Sequence, residues 1–212
     1  MADPTPSTQK ERLYSVAARL FSEAGYRSTS MRDIAAAMGM KAGSLYTHIS
    51  GKEEVLWEII NRIADEFDAA VQPALTAPGT AAERLRLALE AYVGVVSLNL
   101  EMSTVLFTEW RQLPAERQAS IAARRDTVEG VFRTLLQQGV DSGELAADTP
   151  VKLTAILALS GANWLPNWYR TGGSLSPQDV ADAFVALLLR GTLPRKEAEP
   201  GAGSSGSICG VL

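Results

Sequence analysis

The chain has very little of the material from which catalytic and metal sites are built. Its 212 residues include one cysteine, Cys209, and one histidine, His48. A single cysteine excludes an intramolecular disulfide, and a single histidine leaves little from which to assemble a catalytic dyad or a histidine-rich metal site. We find no nucleophile–base pair elsewhere. We therefore expect a protein that is not an enzyme and that holds neither a metal nor a cofactor.

Long hydrophobic runs are also missing. No stretch approaches the roughly 18 uninterrupted apolar residues of a membrane-spanning helix, and the polar first ten residues are unlike a secretory signal. Hydrophobic residues make up 46% of the chain and charged residues 21%, which is typical of a globular protein. Together with the lone cysteine, these features favour a cytoplasmic protein that contacts no membrane.

A surplus of positive charge, which most nucleic-acid binders show, is absent as well. The net charge is −4. Residues 1–56 carry seven Lys or Arg and six Asp or Glu, whereas the remainder carries thirteen and eighteen, so the acidity belongs to the C-terminal part. An N-terminal part this close to neutrality would have to bind DNA through a few aimed contacts and through two copies acting together.

What the chain does have is a regular series of helix signals. No segment shows the alternation of a half-buried strand, so we predict an all-α fold of about nine helices. Four pairs resemble capping boxes: Thr8/Glu11, Ser30/Asp33, Thr80/Glu83 and Ser176/Asp179. Pro150 and Pro177 are predicted at first helical positions. Besides two short helices described next, the predicted helices cover about residues 8–24, 52–75, 80–99, 102–112, 116–142, 150–171 and 177–191.

The stretch 31–50 is the most informative part of the chain, because its spacing predicts a helix-turn-helix. Gly39 falls where two helices cross only if the backbone turns sharply, often with a positive φ. A second helix is predicted from about residue 42 to 49, with Leu45 and Ile49 facing inward. Its outward side chains are Lys41, Ala42, Ser44, Tyr46, Thr47 and His48. The alternative is an ordinary helical hairpin.

We place a domain boundary inside the fourth predicted helix, near Trp57. The predicted units are a three-helix head (1–56), a larger helical bundle (57–195) and a disordered tail (196–212). The final Cys209-Gly-Val-Leu matches a prenylation box only superficially, because Gly210 stands where an aliphatic residue is usual.

At this point the chain resembles TetR/AcrR-type transcriptional repressors. The matching motifs are Ala-Ala-Arg-Leu-Phe-Ser-Glu-Ala-Gly-Tyr (17–26), Thr-Ser-Met-Arg-Asp-Ile-Ala (29–35), Gly-Ser-Leu-Tyr-Thr-His-Ile (43–49) and Lys-Glu-Glu (52–54). Two departures stand out: Ile49 replaces the usual aromatic residue, and Thr47 stands where tyrosine is common. The resemblance implies a DNA-binding head and a C-terminal domain for ligand binding and dimerisation.

The candidate DNA contacts lie in the head. They are Ser28, Thr29, Ser30, Lys41, Ala42, Gly43, Ser44, Tyr46, Thr47, His48 and Lys52. Helix N-termini and lysines gather phosphate oxygens, which supports Lys41 and Lys52. Solvated surface lysines are the alternative for both, and Ser30 is first of all a helix cap.

Three further pieces resemble the branch of the family that responds to acyl-CoA thioesters. They are Phe107-x-Glu109-Trp110-Arg111, Arg124-Arg125-Asp126 and residues 167–176. The implied ligand-site residues are Phe107, Trp110, Arg111, Arg124, Arg125, Trp164, Trp168, Tyr169 and Arg170. The aromatic residues could equally be plain core, and the arginines could form ion pairs instead of binding phosphates.

Apolar stripes are predicted on the last two helices. They comprise Leu153, Ile156, Leu157 and Ser160, followed by Val180, Phe184, Leu187 and Leu188. The resemblance implies that these stripes pair with a second subunit as a four-helix bundle.

The sequence hypothesis is thus a homodimeric repressor that binds a palindromic DNA operator and is released by an acyl-CoA. The alternatives are a repressor that senses another apolar compound, such as a drug or a free fatty acid, an enzyme built on a helical bundle, and a scaffold protein that has lost DNA binding.

Overall fold

The computed structural model describes residues 9–45 and 49–192. Within these segments the chain forms nine α-helices and no strand, which confirms the predicted all-α fold. The helices are α1 (Gln9–Ala24), α2 (Met31–Ala37), α3 (Ala42–Leu45), α4 (Lys52–Val71), α5 (Ala81–Leu98), α6 (Leu100–Glu109), α7 (Ala115–Asp141), α8 (Val151–Asn163) and α9 (Pro177–Thr192). Short 3₁₀ helices follow α4, α6 and α8 at Gln72–Leu75, Trp110–Gln112 and Leu165–Asn167.

The head consists of α1, α2 and α3, packed on the first turns of α4. One apolar face of α1 is buried, with Leu13, Ala17 and Phe21 at most 2% exposed. Gly25 ends α1 with a φ of 85°, a conformation that glycine adopts at no steric cost. Each helix thus contributes one apolar face to the core of the head, as the helical spacing of the apolar residues predicts.

The body consists of the remaining helices, which pack around α4, α5 and α7. On its inner face, α4 buries side chains at every third or fourth position from Val55 to Val71. Because α4 runs without a break from the head into the body, it belongs to both cores. The domain boundary near Trp57 remains a prediction, since a continuous helix spans that position.

Several predicted helix caps are present. Ser30 and Asp33 form a reciprocal capping box at the start of α2, and Thr80 and Glu83 form another at α5. The Ser30 hydroxyl and backbone amide lower the pKa of the Asp33 carboxyl. At α9 the Ser176 hydroxyl and amide both donate to Asp179, which likewise lowers its pKa. Thr8 and the tail 196–212 with Cys209 lie outside the described residues.

Several predicted helix ends were wrong. Ile49 is not helical, although a helix was predicted to about residue 49, and the helix predicted over 102–112 ends at Glu109 before a 3₁₀ turn. The helix predicted over 150–171 ends at Asn163, because Pro166 cannot donate to the helical ladder and restricts the residue before it. Pro150 precedes α8 as its N-cap residue instead of occupying the first turn. The fourth helix ends at Val71 and passes into a 3₁₀ turn that contains Pro73.

The predicted stripe of α9 also needs correction. Val180 and Val185 are buried against the protein's own α5, and Arg86 of α5 pairs with Asp182 at 2.6 Å. Val180 is therefore core and is not available to a second subunit. Leu187, in contrast, is 67% exposed.

No single helix among the described residues is long and apolar enough to cross a bilayer. The bent pair α5 and α6 together has the length and the apolar composition of a membrane span, and only these two properties.

Candidate nucleic-acid interface and effector cavity

The turn between α2 and α3 has the conformation that the sequence predicts. Gly39 has a φ of 71°, and Met40 N donates to the Ala35 carbonyl across the turn. Ile34 and Ala35 are buried beneath it. The positive φ explains why glycine stands at this position, since a Cβ there would be strained.

The start of α3 presents its small and polar residues outward. Lys41, Gly43 and Ser44 are exposed, while Leu45 and Ile49 are buried as predicted. The predicted contacts Tyr46, Thr47 and His48 lie outside the described residues, as does the side chain of Ala42. The described part of the predicted recognition helix therefore has the required inner and outer faces.

The loop before α2, residues 25–30, brings only some of its predicted contacts to the surface. Ser28 and Ser30 are exposed. Thr29 is 4% exposed, and its hydroxyl donates to the carbonyls of Leu20 at 3.3 Å and Gly25 at 3.0 Å. Thr29 thus fixes the loop to the end of α1 from inside.

Lys52, at the first position of α4, is also engaged internally. Its Nζ donates to the Tyr26 carbonyl at 2.9 Å and to the Thr29 carbonyl at 2.8 Å. The same atom lies 4.2 Å from the centre of the Tyr26 ring. Burial, with the nearby Glu53 carboxylate, raises the pKa of the Tyr26 phenol.

The head also contacts the body through α6 and the turn that follows it. Glu109 Oε1 accepts from the Tyr26 backbone amide at 3.3 Å. Arg27 Nε donates to Gln112 Oε1 at 2.9 Å. Both contacts hold the 25–30 loop to the same short stretch of the body.

A third link joins the first turn of α4 to the start of α7. Arg117 pairs with Glu53 at 3.2 Å and with Glu54 at 2.7 Å, and its guanidinium carbon lies 4.9 Å from the centre of the Trp57 ring. This arginine places a positive charge beside two carboxylates that would otherwise repel each other and a nearby polyanion.

The body encloses a cavity of about 280 Å³ between α4, α5, α6, α7 and α8. Its walls are mainly apolar and aromatic, and its charged lining residues are Asp68, Arg124, Arg125, Asp126 and Glu129. The lining residues on its apolar side are Ala64, Phe67, Leu106, Phe107, Ile121, Val128, Ile156 and Leu159. Phe67 and Phe107 are neighbours, with ring centres 6.0 Å apart. The predicted lining role of Phe107 agrees with this geometry.

One polar pair crosses the cavity wall. Tyr92 of α5 donates from its hydroxyl to Asn163 Oδ1 of α8 at 2.5 Å, and both residues line the cavity. Tyr92 is 5% exposed, and this burial raises the pKa of its phenol. The tyrosine therefore stays a neutral hydrogen-bond donor, and the wall offers a polar point without a charge.

The rim carries two adjacent arginines with different surroundings. Arg124 donates to Asp68 Oδ2 at 2.8 Å, to Asn61 Oδ1 at 2.9 Å and to Asp65 Oδ1 at 2.6 Å, so it joins α7 to α4. Arg125 forms no ion pair with the described residues, and its guanidinium carbon lies 5.3 Å from the centre of the Trp110 ring. Of the two, Arg125 is the one available to an anion.

Other predicted ligand-site residues lie away from the cavity walls. Trp164 is 64% exposed and Trp168 41%, while Tyr169 is buried beneath Trp168, and Arg170 is exposed in the following loop. Trp110 and Arg111 stack on each other at 4.6 Å beside the cavity without lining it. These residues form two groups in the sequence because one group lies in and around the turn that follows α8 and the other in the turn that follows α6.

Sequence reasoning missed Phe67, Tyr92 and Asn163. Phe67 and Tyr92 are single aromatic residues inside amphipathic stripes, and Asn163 closes α8. The ring contact of Phe67 with Tyr92 and the hydrogen bond of Tyr92 to Asn163 join different helices, so neither can be read from the sequence. Only a polar residue at the end of an apolar helix, as at Asn163, could have given a signal.

The outer face of α8 is apolar and exposed. Leu153 and Leu157, one turn apart, are 54% and 60% exposed. Ile156, 37% exposed, and Ser160 are also at the surface, as the predicted stripe requires, and both line the cavity as well. The exposed stripe therefore comprises Leu153, Ile156, Leu157 and Ser160, which Trp164 extends, with Leu187 of α9 as a further exposed apolar residue.

Residues 9–45 and 49–192 contain no group of three or more His, Cys, Asp or Glu side chains placed to hold a metal ion.

Two family models match the chain. The model of the bacterial regulatory proteins, tetR family, matches residues 13–59, and that of the tetracyclin repressor-like C-terminal domain matches residues 78–192.

Relatives and solved structures agree with these matches. The HTH-type transcriptional repressor KstR2 of Mycobacterium tuberculosis is 28% identical, over 87% of this chain and 93% of its own. Its structure, described as that of a ketosteroid transcriptional regulator, superposes with a TM-score of 0.84 at 27% identity, over 89% of this chain and 97% of its own.

Two further solved structures are similar. The TetR family transcriptional regulator PfmR of Thermus thermophilus has a TM-score of 0.77 at 33% identity, over 84% of this chain and 97% of its own. AibR, in complex with isovaleryl coenzyme A and operator DNA, has a TM-score of 0.75 at 28% identity, over 86% of this chain and 98% of its own.

Proposed function

Because this chain belongs to the TetR family and is a transcriptional repressor, not an enzyme, we propose that it binds a palindromic operator as a homodimer and releases it on binding an acyl-CoA thioester. The observation that carries the effector proposal is the apolar cavity with one available arginine at its rim. The AibR complex with isovaleryl coenzyme A supports it from a relative.

The DNA part of the proposal rests on the outward face of α3 and on the family. Lys41, Gly43 and Ser44 lie on the exposed side of a helix whose inner side is buried. Two such helices, related by a twofold axis, fit major grooves about 34–36 Å apart. Selection of bound duplexes from a random pool tests this directly. A palindrome with half-sites about one turn apart supports the proposal, and no enrichment rejects it.

The dimer part rests on the exposed stripe of α8 together with Leu187 of α9. Leu153, Leu157 and Trp164 are large apolar residues more than half exposed, on one side of the molecule. A contiguous apolar surface of this kind indicates a protein contact, and a second copy of the chain is the occupant that the family implies.

The acyl-CoA part rests on the size and polarity of the cavity. Ligand pockets usually measure about 300–1,000 Å³, so a cavity of about 280 Å³ suits an acyl chain but not a whole coenzyme A thioester. We place the acyl chain against the adjacent rings of Phe67 and Phe107 and the phosphates at the rim, near Arg125. Arginine is suited to forked hydrogen bonds with phosphate oxygens.

Calorimetry with a series of acyl-CoAs and the matching free acids tests the effector class. We expect the thioester to bind more tightly than the free acid, and Arg125→Met to remove most of that preference. Arg124→Met is the matched control, since its guanidinium is already held by Asp65 and Asp68. Equal binding of thioester and free acid, with no effect of Arg125→Met, would instead favour a repressor that senses another apolar compound.

The structure also offers a route from the cavity to the head. Phe107 lines the cavity, and Glu109, two residues later on α6, holds the Tyr26 amide of the head. A ligand that fits the cavity in only one position of α6 would shift the equilibrium between two head positions. A hundredfold loss of operator affinity would require about 2.7 kcal/mol of such coupling. Glu109→Ala should reduce the effect of ligand on operator affinity more than it reduces operator affinity itself.

A further inference from the structure

We propose that Lys52 is a positioning residue of the DNA-binding head and does not contact phosphate. The proposal rests on the proposed operator binding, which it deepens by assigning different roles to two lysines. Lys41 precedes α3 and Lys52 begins α4. Both were predicted as phosphate contacts, and the structure separates their surroundings.

Most of the donor capacity of the Lys52 ammonium group is used inside the protein. A lysine has three N–H donors and no acceptor. Two of them go to the carbonyls of Tyr26 and Thr29, at 2.9 and 2.8 Å, and Nζ lies 4.2 Å from the centre of the Tyr26 ring. A phosphate oxygen would therefore compete with the contacts that already fix this group in place.

The two carbonyls belong to the loop that sets the direction of α2. Thr29 directly precedes Ser30, the N-cap residue of α2, and its own hydroxyl ties the loop to the end of α1. Lys52 thereby joins the first turn of α4 to the entry of α2. Because the α2–α3 turn is short and fixed at Gly39, the position of α3 depends on this link.

The electrostatic surroundings of the two lysines also differ. Lys52 is followed by Glu53 and Glu54, whose carboxylates are held by Arg117. Together with Lys52 and Arg117 these carboxylates form a group of two cations and two anions, so the local attraction for a polyanion is weaker than at a lysine without acidic neighbours. Lys41 is exposed, as is Gly43 two residues later.

The salt dependence of DNA binding distinguishes positioning from phosphate contact. Each lost phosphate contact lowers the slope of log K against log salt by about 0.9, so a lysine that contacts phosphate in both subunits accounts for about 1.8. We would measure this slope for the full-length protein on a duplex recovered by selection. Lys52→Met should weaken binding about tenfold or more with an unchanged slope. Lys41→Met, the matched control, should reduce the slope.

A second measurement needs no DNA. The Thr29 amide donates to the Tyr26 carbonyl inside the loop that Lys52 holds. Hydrogen exchange at this amide should accelerate about threefold to tenfold in Lys52→Met, as expected for the loss of a neighbouring hydrogen bond, and remain unchanged in Lys41→Met. Unchanged exchange in α1 verifies that the head of the variant is folded, and unchanged exchange in α5 and α7 does so for the body.

Each outcome decides the proposal. An unchanged slope with faster exchange supports it. A reduced slope shows a phosphate contact and overturns it, and so does unchanged exchange at Thr29. If Lys52→Met unfolds the head, Lys52→Gln is measured instead, because its amide can still donate to a carbonyl but carries no charge; an unchanged slope then supports the proposal and a reduced slope overturns it. If the wild-type protein selects no duplex, operator binding itself fails, and the exchange measurement alone decides whether Lys52 fixes the loop.

Discussion

Replacing Arg124 should destabilise the body, whereas replacing its neighbour should not. Arg124 is 19% exposed in its side chain and joins α7 to α4 through Asn61, Asp65 and Asp68. Asp65 is 66% exposed, so its pair with Arg124 contributes little. Asp68 is less exposed, and Arg124→Met would leave its carboxylate without a cation. One charged hydrogen bond of this kind is worth about 1.5–3 kcal/mol.

We therefore expect Arg124→Met to lower the free energy of unfolding by about 2 kcal/mol. For a chain of this length, each kcal/mol shifts Tm by roughly 2–4 °C, so the expected fall is about 4–8 °C. Thermal unfolding monitored by circular dichroism, at one fixed protein concentration, measures it. Arg125→Met should change Tm by no more than about 2 °C, because surface substitutions usually cost within about 0.5 kcal/mol.

Two results would contradict this reasoning. An unchanged Tm in Arg124→Met would show that its ion pairs contribute nothing to the body. Equal losses in both variants would show that the two arginines do not differ in role, and the assignment of Arg125 to the effector would then lose its main support.

Three further predictions concern packing, pH and assembly. Gly139→Ala should lower the free energy of unfolding, measured in urea, by about 1–3 kcal/mol, because the added Cβ would lie 2.9 Å from the buried Leu145 side chain. Gly130→Ala, on the same helix in open space, should instead stabilise slightly. The amides of Ala82 and Ala81 donate to Glu144 and lower the pKa of its carboxyl. The stability that this carboxylate contributes is therefore present above its unfolded pKa of about 4.3 and is lost as the pH falls through the lower folded value. Glu144→Gln should flatten the pH dependence of the urea midpoint in that pH range. Leu157→Glu should convert the dimer to a monomer in sedimentation velocity without unfolding it, and an unaltered dimer would exclude the α8 stripe as the interface.

The sequence predicted the elements whose signals are local. The Ser30 capping box, the turn at Gly39 and the inward Leu45 depend on residues within one or two turns of each other, and the structure has all three. The same locality explains the wrong end of α8, where the apolar pattern continued past Pro166 although the proline stops the helix.

The candidate site could be predicted only where position in a helix decides exposure. Lys41 and Lys52 look alike in sequence, since each begins a helix, and only the fold brings two carbonyls to Lys52. Arg124 and Arg125 are adjacent, yet about 100° of helical rotation directs one to the acids of α4 and the other to Trp110. Such differences arise from contacts between residues far apart in the sequence, which no motif encodes.

Helix α8 has two neighbouring faces, of which one lines the cavity with Ile156 and Ser160 and the other exposes Leu153 and Leu157. In a dimer that is built on this helix, occupancy of the cavity and association of the subunits are linked equilibria. By reciprocity, an effector that weakens the dimer binds the monomer more tightly. For such an effector, the dose needed to dissociate the dimer would rise with the concentration of the protein, because mass action favours association.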